Sequence, residues 1–175
     1  MGAILAAFLP HLDAAASSRA VLRTASVTDR DALLDLLRAY LEEAGGDILP
    51  CPGNVELYGQ IFDRYVSGEA EGVALLLVMS GGRPVGFTMA GEFPMGFRTR
   101  HGKVAMGWGT YVVPEERQSG HARRLRQALD ARLRAMGFDT VIGGYAPNND
   151  PAAASIRDTG FEVYQVLGAK RLREG

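Results

Sequence analysis

The spacing of apolar positions along this chain changes period several times, and each change marks an element. From Thr28 to Gly46 the residues Leu33, Leu34, Leu37, Tyr40 and Leu41 fall on one stripe, the spacing of a helix with one face in a core. Thr28 with Asp31 reads as its capping box and Gly45-Gly46 as its stop. A second helical stripe runs through Val55, Tyr58, Ile61, Phe62, Tyr65 and Val66 and ends near Gly68. Between the two helices, Asp47 to Asn54 carries two prolines and a glycine and reads as a loop. Val21 to Ala25 reads as a strand. Val73 to Met79 is an unbroken apolar run too short for a typical helix, hence a buried strand. Ser80-Gly81-Gly82-Arg83-Pro84 turns it into a second arm, Val85 to Phe93.

Pro94 to Lys103 reads as a loop and Val104 to Val113 as a further strand, stopped by Pro114. Helical spacing returns at Ala122, Leu125, Leu129 and Leu133, with five arginines on the wetter faces and Gly137 as the cap. Thr140 to Tyr145 reads as a strand, Pro151 to Asp158 as a short helix begun at Asn149 or Asp150, and Phe161 to Tyr164 and Leu167 to Leu172 as two final strands. The order β-α-α-β-β-β-α-β-α-β-β predicts a mixed α/β sheet flanked by helices, in one domain over residues 21–175.

Residues 1–20 stand apart. No Lys or Arg precedes the apolar stretch, so the pattern of a signal peptide fails, and Pro10, His11 and Asp13 interrupt a run too short to span a bilayer. Gly2 invites myristoylation, but position 6 is Ala6, where that motif needs Ser or Thr. This extension reads as a short packed helix or a frayed tail.

Composition narrows the function classes. A net charge of −1 lends no support to nucleic-acid or membrane-surface binding. Cys51 is the only cysteine, which excludes an intramolecular disulfide and a Cys-rich zinc site. No metal site is expected, and a reducing cytoplasm fits.

The chemistry concentrates between Tyr111 and Arg123. A strand ends at Val113, Pro114 breaks it, and a tight loop feeds a helix. The first amides of a helix lack intrahelical partners and sit at the positive end of its dipole, so the N–H groups of Gln118, Ser119, Gly120, His121, Ala122 and Arg123 can converge on an anion, above all a pyrophosphate. Gly120 lets the backbone come close, Ala122 keeps the first turn slim, and Arg117 and Arg123 can add charge-assisted bonds to phosphate oxygens.

The stretch Tyr111-Val112-Val113-Pro114-x-x-Arg117-x-x-Gly120-x-Ala122 resembles the acetyl-coenzyme A loop of the Gcn5-related N-acetyltransferase family, whose pattern is Arg or Gln, two residues, Gly, one residue, Gly or Ala. Downstream, Asn149, Ala152, Gly160 and Phe161 match the family's Asn-x-x-Ala … Gly-Phe element. The resemblance covers roughly residues 21–172. It implies a mostly antiparallel sheet in which the strand ending at Val113 splays from Val141 to Tyr145. The pantetheine arm of acetyl-coenzyme A, or of another acyl-coenzyme A, would lie in that gap against the main chain of Val112 and Val113, with Asn149 on its far side. Asn149 reads equally as a helix N-cap, and both roles can coexist.

The same resemblance implies N-acyl transfer to an amine, and there the sequence departs from the family. The usual carboxylate base is missing from Met106-Gly107-Trp108-Gly109-Thr110, and the usual tyrosine acid is replaced by Ile156. Glu92 at a strand end is the candidate base, with His101 behind it, and Ser155 the preferred proton source for the thiolate over Tyr145 and Tyr164; Cys51 is a weaker candidate, as an acyl-carrying nucleophile. The loop with Phe93, Met95, Phe97, Arg98, Arg100, His101 and Lys103 would suit an amine that carries a carboxylate or phosphate. The expected partner is therefore a small-molecule amine, with self-association as a homodimer left open. The competing reading is a catalytically silent acyl-coenzyme A-binding module on the same fold.

Overall fold

A computed structural model describes residues 20–44, 52–92, 98–100, 102–145 and 149–162. The expected helix at the start of the chain, most of the loop 47–54, the aromatic positions Phe93, Met95 and Phe97, His101, and the final strands from Val163 on lie outside the described residues.

The elements are β1 (Val21–Thr24), α1 (Arg30–Ala44), α2 (Pro52–Val66), β2 (Ala74–Ser80), β3 (Arg83–Glu92), β4 (Arg98–Thr99), β5 (Gly102–Val112), α3 (His121–Ala135), β6 (Thr140–Ile142) and α4 (Asp150–Arg157). β1, β2, β3 and β5 pair in that order, each antiparallel to the next. β6 joins parallel to β5 through Val104–Met106 only. The β2–β3 hairpin turns at Gly81 and Gly82, both at positive φ (57° and 80°), as a two-residue primed turn demands.

Alternation along the strands gives the sheet two apolar faces. Val78, Ala90, Ala105 and Val112 pack beneath Leu125, Leu129 and Leu133 of α3. Leu75, Leu77, Phe87, Met89 and Tyr111 pack beneath Leu33 and Leu37 of α1 and Phe62 of α2. Of the stripes read from the sequence, Leu33, Leu37, Leu41, Phe62, Leu125, Leu129 and Leu133 are buried, while Tyr40, Tyr58, Ile61 and Tyr65 are half-buried at the edge of the core.

Four expectations change. The cap of the first helix is Ser26 with Asp29, not Thr28 with Asp31, because a 3-10 turn over Val27–Asp29 precedes α1. The Asp29 carboxylate accepts from the Ser26 N–H (2.8 Å) and hydroxyl (2.7 Å) and from both terminal nitrogens of Arg23 (2.7 and 2.6 Å). The Arg23 bonds above all hold Asp29 far below the usual carboxylate range. α2 begins at Pro52 rather than Val55, since the fixed φ of proline suits a first helical turn. The loop before β5 contains β4, which pairs Arg98 with Lys103 and Thr99 with Gly102. β6 stops at Ile142, short of Tyr145, where Gly143 and Gly144 follow.

Candidate active site

Two features of β5 build the site. The first is its C-terminal end. The Val113 N–H donates to the Val85 carbonyl (2.9 Å), so this amide, expected to face a ligand, is taken up by the sheet. Pro114 then ends the ladder for want of an N–H. After one 3-10 turn over Pro114–Glu116, Gln118 takes φ 64°, the single positive φ outside glycine among the described residues. Gly120, at φ 79°, is the N-cap of α3. Left-handed backbone at a residue with a Cβ costs roughly 1–2 kcal/mol and clusters at ligand sites.

The Arg124 N–H donates to the Gly120 carbonyl (3.0 Å). The amides of His121, Ala122 and Arg123 are therefore left without intrahelical acceptors. A Cβ added to Gly120 would meet nothing within 4 Å, so the space over this turn is open. Orphan amides, the dipole of a 15-residue helix and an open approach fit a pyrophosphate.

The side chains around this turn divide by role. Arg123 is exposed beside it. Arg117 is turned toward α1: its Nη2 pairs with Glu43 (2.5 Å), its Nε donates to the Val112 carbonyl (2.9 Å), and its guanidinium lies 5.6 Å from the centre of the Tyr111 ring. It braces the loop against the first helix, and the Glu43 bond raises its pKa further. Ser119 donates to the Glu116 carbonyl. His121 is buried under the helix with Nε2 3.4 Å from Glu116, and its Nδ1 has no hydrogen-bond partner among the described residues. The Tyr111 ring is buried against Phe87 and Tyr40. Asn149 caps α4, its Oδ1 accepting from the Ala152 N–H at 3.0 Å.

The second feature is the middle of β5. Met89 pairs with Gly109 but Ala90 with Gly107, so Trp108 is the extra residue of a β-bulge. The last β5–β6 pair is Met106 with Ile142. From there to Val112 the edge of β5 away from β3 has no strand beside it among the described residues. Ladder alternation turns the N–H and C=O of Thr110 and Val112 toward that edge, where the Val112 carbonyl already accepts from Arg117.

Over the bulge lie two tyrosines from the helices. The hydroxyls of Tyr40 and Tyr58 both donate to the Trp108 carbonyl (3.4 Å each). A Cβ on Gly109 would sit 2.9 Å from the Tyr40 ring, so glycine there makes room for the phenol. Burial raises the pKa of both, with Tyr58 adding to the rise at Tyr40, and both stay protonated donors at neutral pH. On the same side the Trp108 indole lies on Gly91, where an added Cβ would be 2.3 Å from it. Sequence reasoning missed Tyr40, Tyr58 and Trp108 as site residues. The available signal was Gly107 and Gly109 inside a strand, since interior glycines mark bulges and close approach.

Of the two proposed proton carriers, the side chain of Glu92 alone is among the described ones. Glu92, opposite Ala105, forms an ion pair with Lys103 (3.3 Å), roughly 20 Å of strand from Val112 at ~3.3 Å per residue. Ser155 lies in α4, its side chain outside the described part. Tyr145 is exposed, and Cys51 and Tyr164 are outside the described residues. Among the described residues no three His, Cys, Asp or Glu side chains are grouped to hold a metal ion. No helix among them is long and apolar enough to cross a membrane.

Comparison with known proteins agrees with this geometry. No curated protein sequence matches the chain. Among solved structures it is similar to the aminoglycoside N-acetyltransferase AAC(6')-Iy bound to the bisubstrate analogue CoA-S-monomethyl-acetylneamine, with TM-score 0.70 and 20% identity over 89% of this chain and 99% of that one. It is similar to the aminoglycoside 6'-N-acetyltransferase AAC(6')-IG of Acinetobacter haemolyticus, with TM-score 0.64 and 19% identity over 88% and 99%. It also resembles an acetyltransferase of Trypanosoma brucei, with TM-score 0.63 and 23% identity over 88% and 100%. These likenesses establish the fold. The model of the acetyltransferase (GNAT) family matches residues 32–161, so the chain belongs to the GNAT acetyltransferases, whose acetyl donor is acetyl-coenzyme A.

Proposed function

We propose that this protein transfers the acetyl group of acetyl-coenzyme A to a primary amine of a small molecule, by direct attack of the amine on the thioester. The observation that carries the reading is on β5: a helix start with free amides at one end and, among the described residues, an unpaired main-chain edge leading away from it. The amides of Gln118 to Arg123 hold the pyrophosphate, with Arg123 adding charge and Arg117 keeping the loop in place. The Val112 main chain lines the arm of the cofactor from β5 and Asn149 approaches from the side of α4. When bound, the cofactor supplies an acyl group already activated as a thioester.

The residues of the chain do the rest by positioning. The amine arrives on the α1/α2 side of the sheet, where Tyr40, Tyr58 and Trp108 surround the bulge. The aminoglycoside acetyltransferases among the similar structures support a small-molecule amine as acceptor. If Glu92 takes the amine proton or Ser155 protonates the thiolate, Glu92→Gln or Ser155→Ala should lower kcat at least about tenfold. Because Lys103 holds Glu92 in an ion pair, we expect Glu92→Gln to leave kcat within about twofold.

Calorimetry with coenzyme A, followed by thiol release from acetyl-coenzyme A with a panel of amines, tests the reading. Micromolar binding and turnover on at least one primary amine are expected. Tight binding without turnover on any amine would make the chain a silent cofactor-binding module, a reading favoured by the absence of a carboxylate at Gly109 and of a tyrosine at Ile156.

A further inference from the structure

The loop that leads into α3 carries two carboxylates, Glu115 and Glu116, toward a place that has to receive an anion. Glu115 is exposed, so water screens it. Glu116 is half-buried, and its Oε2 lies 3.4 Å from Nε2 of His121, the first residue of α3. The imidazole is enclosed, with 8% of its side chain exposed. Its buried Nδ1 has no hydrogen-bond partner among the described residues. A hydrogen on Nδ1 would bury a donor without an acceptor, so the ring keeps its hydrogen on Nε2 and donates it to Glu116. Two further bonds close the same turn. Ser119 donates to the Glu116 carbonyl, and the Glu116 N–H donates to the Val113 carbonyl (3.0 Å).

We propose that His121 is a positioning residue for cofactor binding: by bonding the Glu116 carboxylate it keeps that carboxylate off the amides that receive the pyrophosphate. The inference rests on the cofactor site proposed above. A carboxylate a few residues before a helix is itself a good ligand for the first-turn amides, which lack acceptors and carry the positive end of the dipole. Left loose, Glu116 would occupy the amides of His121, Ala122 and Arg123, and coenzyme A would have to displace it. The neighbouring arginines are engaged elsewhere. Arg117 pairs with Glu43 and donates to the Val112 carbonyl, and Arg124 donates to the Ala20 carbonyl (2.7 Å). Arg123 is exposed and remains for the phosphates. His121 is therefore the group that holds Glu116 in place, and its buried ring fixes where the carboxylate sits.

Calorimetry with coenzyme A on single and double variants tests this and needs no acceptor. His121→Leu keeps much of the bulk of the ring and removes the donor, so the dissociation constant should rise at least about fivefold. Glu116→Gln added to His121→Leu takes away the carboxylate that was set loose and should bring affinity back to within about twofold of wild type. His121→Gln, whose amide N–H can stand in for that of Nε2, should bind more tightly than His121→Leu. A loss due only to disturbed packing would persist in the double variant. That result, or an unchanged affinity in His121→Leu, would overturn the proposal. Should circular dichroism show that His121→Leu does not fold, Glu116→Asp decides: the shorter side chain keeps the charge but draws it away from Nε2. Its affinity should fall at least about threefold while that of Glu116→Gln does not fall, and equal affinities would sink the idea. Failure of the cofactor reading looks different. Wild type would then bind no coenzyme A, or Gly120→Val would bind it as well as wild type does.

Discussion

At the end of β5 the chain runs through Pro114, Gln118 and Gly120 into α3, and every group offered to an anion comes from within a dozen consecutive residues. At Trp108, a few residues earlier on the same strand, the neighbours are Tyr40 from α1, Tyr58 from α2 and Gly91 from β3. One site is made of backbone and is local; the other is made of side chains gathered by the fold. The cofactor end depends on amide geometry, which many side chains tolerate provided the two left-handed turns are kept. The proposed acceptor end depends on which side chains meet, so changes of one atom are felt there.

The largest expected effect breaks the cofactor end alone. Gly120→Val forces a β-branched residue to φ 79° and fills the open approach. Coenzyme A affinity should fall at least about 100-fold in calorimetry, with circular dichroism unchanged. Unchanged affinity would move the anion site off this loop. Gly91→Ala probes the acceptor end: the new methyl would overlap the indole, and overpacking of this kind lowers stability by about 1–3 kcal/mol in denaturant unfolding. Coenzyme A affinity should stay within about twofold of wild type. A parallel loss of both would show that the two sites are not separable.

Tyr40→Phe and Tyr58→Phe test the hydroxyls over the bulge. Each lost bond to the Trp108 carbonyl should lower stability by about 0.5–1 kcal/mol at neutral pH. Both folded-state pKa values are raised, chiefly by burial. The tyrosines' stabilising contribution is therefore complete below the unfolded value of about 10 and is lost as pH rises through the folded values. Urea unfolding across that range should show wild type weakening above about pH 10 and the double phenylalanine variant weakening less. Equal alkaline sensitivity would mean that the phenols are not buried as described. The smallest effect belongs to the Arg117–Glu43 pair, whose side chains are 39% and 47% exposed. Glu43→Gln should lower stability by under about 1 kcal/mol, and the difference should shrink in high salt.

The helices α1 and α3, the β2–β3 hairpin and the junction after Val113 were legible because each is specified by periodicity or turn chemistry over a short window. Less legible were the positions whose meaning depends on neighbours. Asp29 rather than Asp31 closes the cap because a 3-10 turn precedes the first helix, and Arg23, on β1, adds two bonds to its carboxylate. Gly109 looked like a missing carboxylate and is instead the space that the Tyr40 ring occupies. Glu92 read as a base at a strand end, and Lys103, on the paired strand, forms an ion pair with it there. Arg117 looked like a phosphate ligand and is held by Glu43, on a helix more than 70 residues away in sequence.

By itself the sequence determined the class of sheet and helices, the place where the strand gives way to a helix start, and the residues, Gly109 and Ile156, that depart from the family's pattern. Those are properties of backbone propensity and residue identity, which act over a few neighbours. The tertiary structure decided where β5 and β6 part and that Trp108 is a bulge held by two phenols. Sheet register and side-chain contacts between distant segments set these features, and they exist only once the whole core has packed.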